Sequence, residues 1–279
     1  MARVKIGEVS ALERFPVKSM MGEKPRKFEV GAGGVIGDRA YALREIATDR
    51  IASAKKWIQL FDCSARFESE PRAGALPPVR IELPGGRVLH AEDANASELI
   101  SEAMNRKFRL ERANAASSEH AGIDPKTVFG EVPVDKVIPG VTSATMPDHF
   151  ALWKGTFFDT ATMHVIATGT LAHMRKLTPG SDFDPRRFRA NILVDTGSAA
   201  DHFIEDDWIG GTLAIGEVRI VSMQPALRCV MTTHPQRGLP RDPATLRTAA
   251  FHHKANAGVF AAVGAPGALG IGDSVYLEK

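Results

Sequence analysis

The sequence predicts a mainly β fold with a few helices, and three observations predict it. Short β-prone runs recur along the chain, broken by Gly and Pro turns, where a βα fold would alternate strands with helices. Two hairpins are legible, one pairing 79–83 with 87–89 across Pro84-Gly85-Gly86 and one pairing 212–215 with 218–224 across Gly216-Glu217. Helical signals are confined to three short stretches.

Taken in order, Gly31-Ala32-Gly33-Gly34-Val35-Ile36-Gly37 invites a dinucleotide-binding reading. Ile36 stands where the fingerprint needs glycine, however, and Asp38 to Leu43 reads as a strand where a helix is required. Asn95 with Glu98 three residues on resembles a capping box, predicting a helix to about Arg106. Residues 114–155 are small and polar with little periodicity, so a boundary or long connection is expected there, dividing a domain over 1–115 from one over 116–279. Beyond it come a strand from Met163 to Ala167 and a helix from Thr170 to Leu177, stopped by Pro179-Gly180. Asp242 as N-cap and Pro243 at the first helical position predict a helix through about Phe251. Val259–Val263 and Val275–Leu277 read as closing strands.

Composition excludes several function classes. With 44% hydrophobic and 24% charged residues, 279 residues can bury a full core without staples. The 35 basic and 33 acidic residues are interspersed, which is no electrostatic footprint for nucleic acid. Two cysteines, Cys63 and Cys229, build neither a disulfide framework nor a four-thiolate iron–sulfur cluster, so a reducing, cytoplasmic setting is expected, and if redox chemistry happens here its electrons must come from a separate partner. The first residues lack an apolar run of secretory length, and no stretch approaches a membrane span. The histidines form no HExxH, and no Gly-x-Ser-x-Gly elbow supports a serine hydrolase.

Cys229 carries the strongest chemical signal. It sits in Gln224-Pro225-Ala226-Leu227-Arg228-Cys229-Val230-Met231-Thr232-Thr233, where the Arg228 cation and a turn expected at Pro225 both favour a presented thiolate. A lone cysteine is otherwise an inert core residue, and Cys63, beside Asp62, is read that way. Arg186-Arg187-Phe188-Arg189-Ala190-Asn191 reads either as a solvated basic turn or as donors converging on an anion, since guanidinium forks suit phosphate oxygens.

Together these pieces resemble the MOSC family, the domain related to the C-terminal part of molybdenum-cofactor sulfurases, in the branch that contains the amidoxime-reducing enzymes. The likeness runs through Phe15-Pro16-Val17-Lys18-Ser19, Gly37-Asp38-Arg39, Phe158-Asp159-Thr160, Arg187 to Ile192, Glu205 to Trp208, Ile215 to Val218 and Arg228 to Thr233. It implies a β-barrel MOSC domain preceded by a β-barrel-like N-terminal domain. It also implies a molybdenum cofactor, a phosphate-bearing molybdopterin, with Cys229 as the protein's thiolate ligand to the metal. A soft sulfur donor suits a dithiolene-bound molybdenum. Lys18, Ser19, Arg39, Thr160, Arg189 and Asn191 match positions that grip the cofactor, and Asp159 a position near the metal where a carboxylate could move protons or orient substrate. Ala161 and Ala190 depart from the serine and proline common in that branch. The implied activity is reduction of N-oxygenated substrates such as hydroxylamines or amidoximes, with electrons from a separate reductase. Two alternatives share the same thiol: a sulfur carrier or maturation protein with a persulfide on Cys229, and a non-enzymatic cofactor carrier.

Overall fold

The computed structural model describes residues 2–114, 120–122, 149–151, 156–197 and 200–279, with 120–122 and 149–151 by backbone alone. It is mainly β. The N-terminal part holds β1 (Arg3–Leu12), β2 (Lys27–Gly31), β3 (Gly34–Val35), β4 (Tyr41–Glu45), β5 (Arg50–Ile51) and β6 (Ser64–Phe67). It continues through β7 (Val79–Glu82), β8 (Val88–His90), helix α1 (Ala96–Ala103) and β9 (Phe108–Arg112). A short pair, β10 (His120–Gly122) and β11 (His149–Ala151), follows. Then come β12 (Met163–Ala167), α2 (Thr168–Leu177), β13 (Ile192–Asp195), β14 (Thr212–Ile215) and β15 (Val218–Leu227). Helix α3 (Ala244–His253), β16 (Asn256–Ala265), β17 (Gly267–Gly270) and β18 (Ser274–Glu278) complete the order.

Seven strands close a barrel in the order β1-β13-β12-β16-β15-β14-β18. The interior is filled by alternate aliphatic side chains, among them Val9, Val165, Ile192, Val194, Leu213, Val259 and Val275, all essentially buried. β1 enters the barrel from the far end of the sequence, pairing antiparallel with both β13 and β18. It bulges between Lys5 and Gly7 and again between Val9 and Ala11, so its buried face changes along the strand. At the first bulge a side chain on Gly7 would collide with the carbonyl of Asp195. Helices α2 and α3 cover the barrel over a second cluster, including Ile166, Leu171, Met174, Phe188 and Ala249.

A third core joins the sheets β5-β4-β9 and β6-β7-β8 with α1, through Val17, Leu43, Phe61, Ile81 and Ile100. The expected boundary at 115/116 lies outside the described residues. Strands from both sides of it pair with one another, β1 with β13 and β18, and β2 with β17. Both predicted hairpins form, as do the three helices. Three details differ. Asn95 precedes α1 but makes no side-chain capping bond. Pro243 flanks α3 one position earlier than expected, while Asp242 Oδ1 still accepts from the Ala244 N–H at 3.0 Å. Pro225 seeds no turn: it lies within β15 opposite Val259, beside an irregularity in the pairing, where strand prolines are tolerated.

Candidate functional site

A cavity of about 360 Å³ opens between the barrel and the N-terminal core. Lys18, Ser19, Arg39, Asp159, Thr160, Arg189, Asn191 and Cys229 all line it, so the residues that the resemblance marks as catalytic or cofactor-binding border the same space. Phe158, Arg228 and Met231, from motifs already named, share its wall with Lys55, His164 and Phe260, which carried no sequence signal.

The N-terminal wall is set by backbone geometry that few side chains adopt. Ser19 (φ 68°), Arg39 (φ 50°) and Arg189 (φ 54°) are all left-handed without being glycine, a strain that packed surroundings must hold. Asp38 supplies one such hold. Its buried carboxylate accepts from the Phe15 N–H at 2.8 Å and from Asn191 Nδ2 at 2.9 Å, and it pairs with Arg39. Arg39 lies over the Phe15 ring at 4.6 Å and Arg189 over the same ring at 4.0 Å, so one aromatic ring contacts both guanidinium groups. Arg189 Nη1 also donates to the Met20 carbonyl at 2.9 Å. Burial, with the Arg39 charge nearby, brings its pKa down to about 9.

Asn191 holds structure together from inside the wall. Both amide hydrogens are used, on Asp38 and on the Glu13 carbonyl at 3.3 Å, and its Oδ1 accepts from the His164 N–H at 3.1 Å. It therefore has no donor left for a ligand, which corrects the expectation that it grips one directly. Arg187 is likewise structural: its guanidinium donates to the carbonyls of Asp182, His234 and Pro240.

Asp159 is clamped between two ammonium groups. One oxygen accepts from Lys18 Nζ, and the other lies 3.4 Å from Lys55 Nζ. Burial works against its charge, but Lys18 and Lys55 outweigh it and hold the carboxyl well below the usual range. Near neutral pH it is therefore a fixed negative charge facing Lys18 and Lys55. Lys18 Nζ also donates to the Phe157 carbonyl at 2.6 Å, and burial lowers its pKa. For Lys55 burial is outweighed by the charges of Asp159 and Cys229, and its pKa rises. The Lys55 loop is pinned to the Lys18 turn because the Ala54 N–H donates to Ser19 Oγ at 3.1 Å.

Cys229 follows β15 and opens a short 3-10 turn over Val230–Thr233, its carbonyl accepting from Thr232 N–H at 3.1 Å. It is free and half-buried. Beside it Arg228 donates from Nη2 to the Phe188 carbonyl at 2.9 Å, while its Nε is buried with no partner. Burial draws its pKa down to about 10. Cys63 lies in the N-terminal core, and burial pushes its thiol up to about 12, as expected of an inert cysteine.

Fold and site thus define a β-barrel protein with one thiol at the wall of a cation-lined cavity. Residues 153–276 match the family model of the MOSC domain. Among solved structures, the YuaD protein from Bacillus subtilis is 11% identical with a TM-score of 0.48, covering 99% of this chain and 97% of that one. YiiM from Geobacillus stearothermophilus is 17% identical with a TM-score of 0.32, covering 43% of this chain and 55% of that one. A comparison with curated proteins found no match. No helix among the described residues is long and apolar enough to cross a membrane.

Proposed function

We propose that the chain binds a molybdenum cofactor through Cys229 and reduces N-oxygenated compounds such as hydroxylamines or amidoximes, taking electrons from a separate reductase. The observation that carries this reading is the convergence of one thiol with Lys18, Arg39, Lys55, Arg189 and Arg228 on a single cavity. The donor set suits the group. A thiolate matches a soft metal, and a cluster of ammonium and guanidinium groups matches a phosphate. The buried, unpartnered Arg228 Nε fits too, since a donor in that state calls for an acceptor that the protein itself does not provide.

Cys229 would hold the metal, while Arg39, Arg189, Lys18 and the Ser19 hydroxyl would hold the phosphate and pterin, with Thr160 at the mouth. Bound there, the cofactor supplies two-electron removal of oxygen from nitrogen. The chain's own residues supply the rest. Asp159, kept ionised, orients Lys18 and Lys55 and can accept an N–H from substrate. Lys55 Nζ is the proton-bearing group on the Cys229 side, placed to protonate a departing oxygen. Asn191 fixes Asp38 and His164 without touching ligand.

The test is molybdenum content by elemental mass spectrometry in wild type and Cys229→Ser, both from a host that makes the cofactor, followed by reduction of a hydroxylated base with a chemical electron donor. Near-stoichiometric metal in wild type and its loss in the variant are expected. Metal in neither protein would overturn the cofactor reading and direct attention to a persulfide on Cys229. Loaded protein without turnover on any N-oxygenated compound would overturn the reaction.

A further inference from the structure

His164 is a buried imidazole on β12 whose every neighbour fixes it. Its backbone N–H donates to Asn191 Oδ1 at 3.1 Å, and its carbonyl accepts from the Asn191 N–H at 2.8 Å. The ring packs on its cross-strand partner Phe260, with centroids 5.6 Å apart. On the remaining side Gly258 (φ 83°) leaves it room, since a side chain there would collide with Nε2 and come within 2.7 Å of the Val165 carbonyl.

Nε2 is 3.3 Å from Arg228 Nη1 and 3.3 Å from the Ala257 carbonyl. These contacts make incompatible demands. A guanidinium only donates, so it needs a lone pair on Nε2, whereas a carbonyl only accepts, so it needs a proton there. We infer that the lone pair faces Arg228: His164 is a neutral imidazole protonated at Nδ1, and through Nε2 it positions the Arg228 guanidinium beside Cys229.

Three considerations select this tautomer. A bond from a charged donor is about twice as strong as a neutral one. The opposite tautomer would set N–H against N–H in a buried place, leaving a guanidinium donor unsatisfied. The Arg189 carbonyl also interacts with the ring and can receive the Nδ1 proton, while burial and the Arg228 charge keep the ring neutral.

With Nη1 on His164 and Nη2 on the Phe188 carbonyl, the guanidinium plane is held at two corners. The Arg228 N–H bonded to the Ala255 carbonyl at 2.7 Å fixes its base. Nε is then a pre-aimed donor for an anionic ligand atom next to the Cys229 sulfur. That last step rests on the proposed cofactor reading, but the tautomer and the Arg228 contact do not.

The experiment is long-range ¹H–¹⁵N NMR of histidine- and arginine-labelled protein without cofactor. An acceptor-type Nε2 and a protonated Nδ1 on His164 are expected, with slowed rotation of the Arg228 guanidinium, assigned through Arg228→Lys. The guanidinium signature should vanish in His164→Leu and persist in His164→Gln, whose amide oxygen also accepts. In cofactor-loaded protein, His164→Leu should lose about tenfold or more in kcat with KM little changed, and His164→Gln should recover most of it. A proton on Nε2 in wild type overturns the inference, and needs no variant to be seen. Unchanged Arg228 signals in a folded His164→Leu protein also overturn it. If the NMR results are as expected and wild type binds no molybdenum, the positioning role stands and the cofactor reading fails.

Discussion

Asp159 is worth more as a fixed charge than as a reagent. Replacing it by Asn removes the counter-charge of two lysines that are both largely buried, and a loss of roughly 1–3 kcal/mol is expected in urea denaturation at neutral pH. Because its folded pKa lies below the ordinary carboxylate value, its stabilisation is present above that value and declines as pH falls beneath it. The difference between wild type and Asp159→Asn should therefore shrink in acid. The two thiols give a second prediction. A limiting alkylating reagent at neutral pH should modify Cys229, at the cavity wall, and spare Cys63, read out by peptide mass spectrometry. Cys229, Arg39 and Arg189 were legible because each sits in a local pattern. Lys55 was not, since nothing in Ser53-Ala54-Lys55-Lys56 marks it until Ser19 Oγ pins its loop against the Lys18 turn.

At the scale of elements, α2 illustrates a cap supplied from a distance. Glu205, in the Glu205-Asp206-Asp207-Trp208 motif, accepts from the Ala167 N–H at 2.6 Å and from the Thr170 hydroxyl, satisfying the start of the helix from another segment. Burial pushes its pKa up to about 7. A raised carboxyl pKa means the folded state holds the proton more tightly, so stability falls as pH rises from the unfolded value of 4.5 to about 7. The expected fall is on the order of 3 kcal/mol, and Glu205→Gln should flatten it, as thermal unfolding at pH 5 and pH 8 would show. Gly258→Ala, on β16, should cost roughly 2 kcal/mol or more, because both its positive φ and the His164 ring exclude a side chain. Helices and hairpins were readable from caps and turn residues. The path of β15 was not: a proline within a strand reads as a turn unless the bulge that accommodates it is known.

At the scale of the whole molecule, the barrel is incomplete without β1. The strand escaped sequence reading because its two bulges break the alternation that marks a half-buried strand. Its absence would expose the edges of β13 and β18 and open the core around Val9 and Leu12. A fragment of residues 153–276, the part that matches the MOSC family model, should therefore fail to give a cooperative unfolding transition, and co-expression with a segment spanning β1 should help restore one. Calorimetry on the two preparations checks this. The pairing of β1 with β18 also imposes a schedule on the protein's birth. Strand β1, the earliest stave in the sequence, must wait for β18 before both its edges are covered, so the barrel closes only through contacts of long sequence separation. The cation-lined cavity, which takes Lys18 from the N-terminal part and Cys229 from the segment after β15, likewise needs both regions to have been made before its wall is whole.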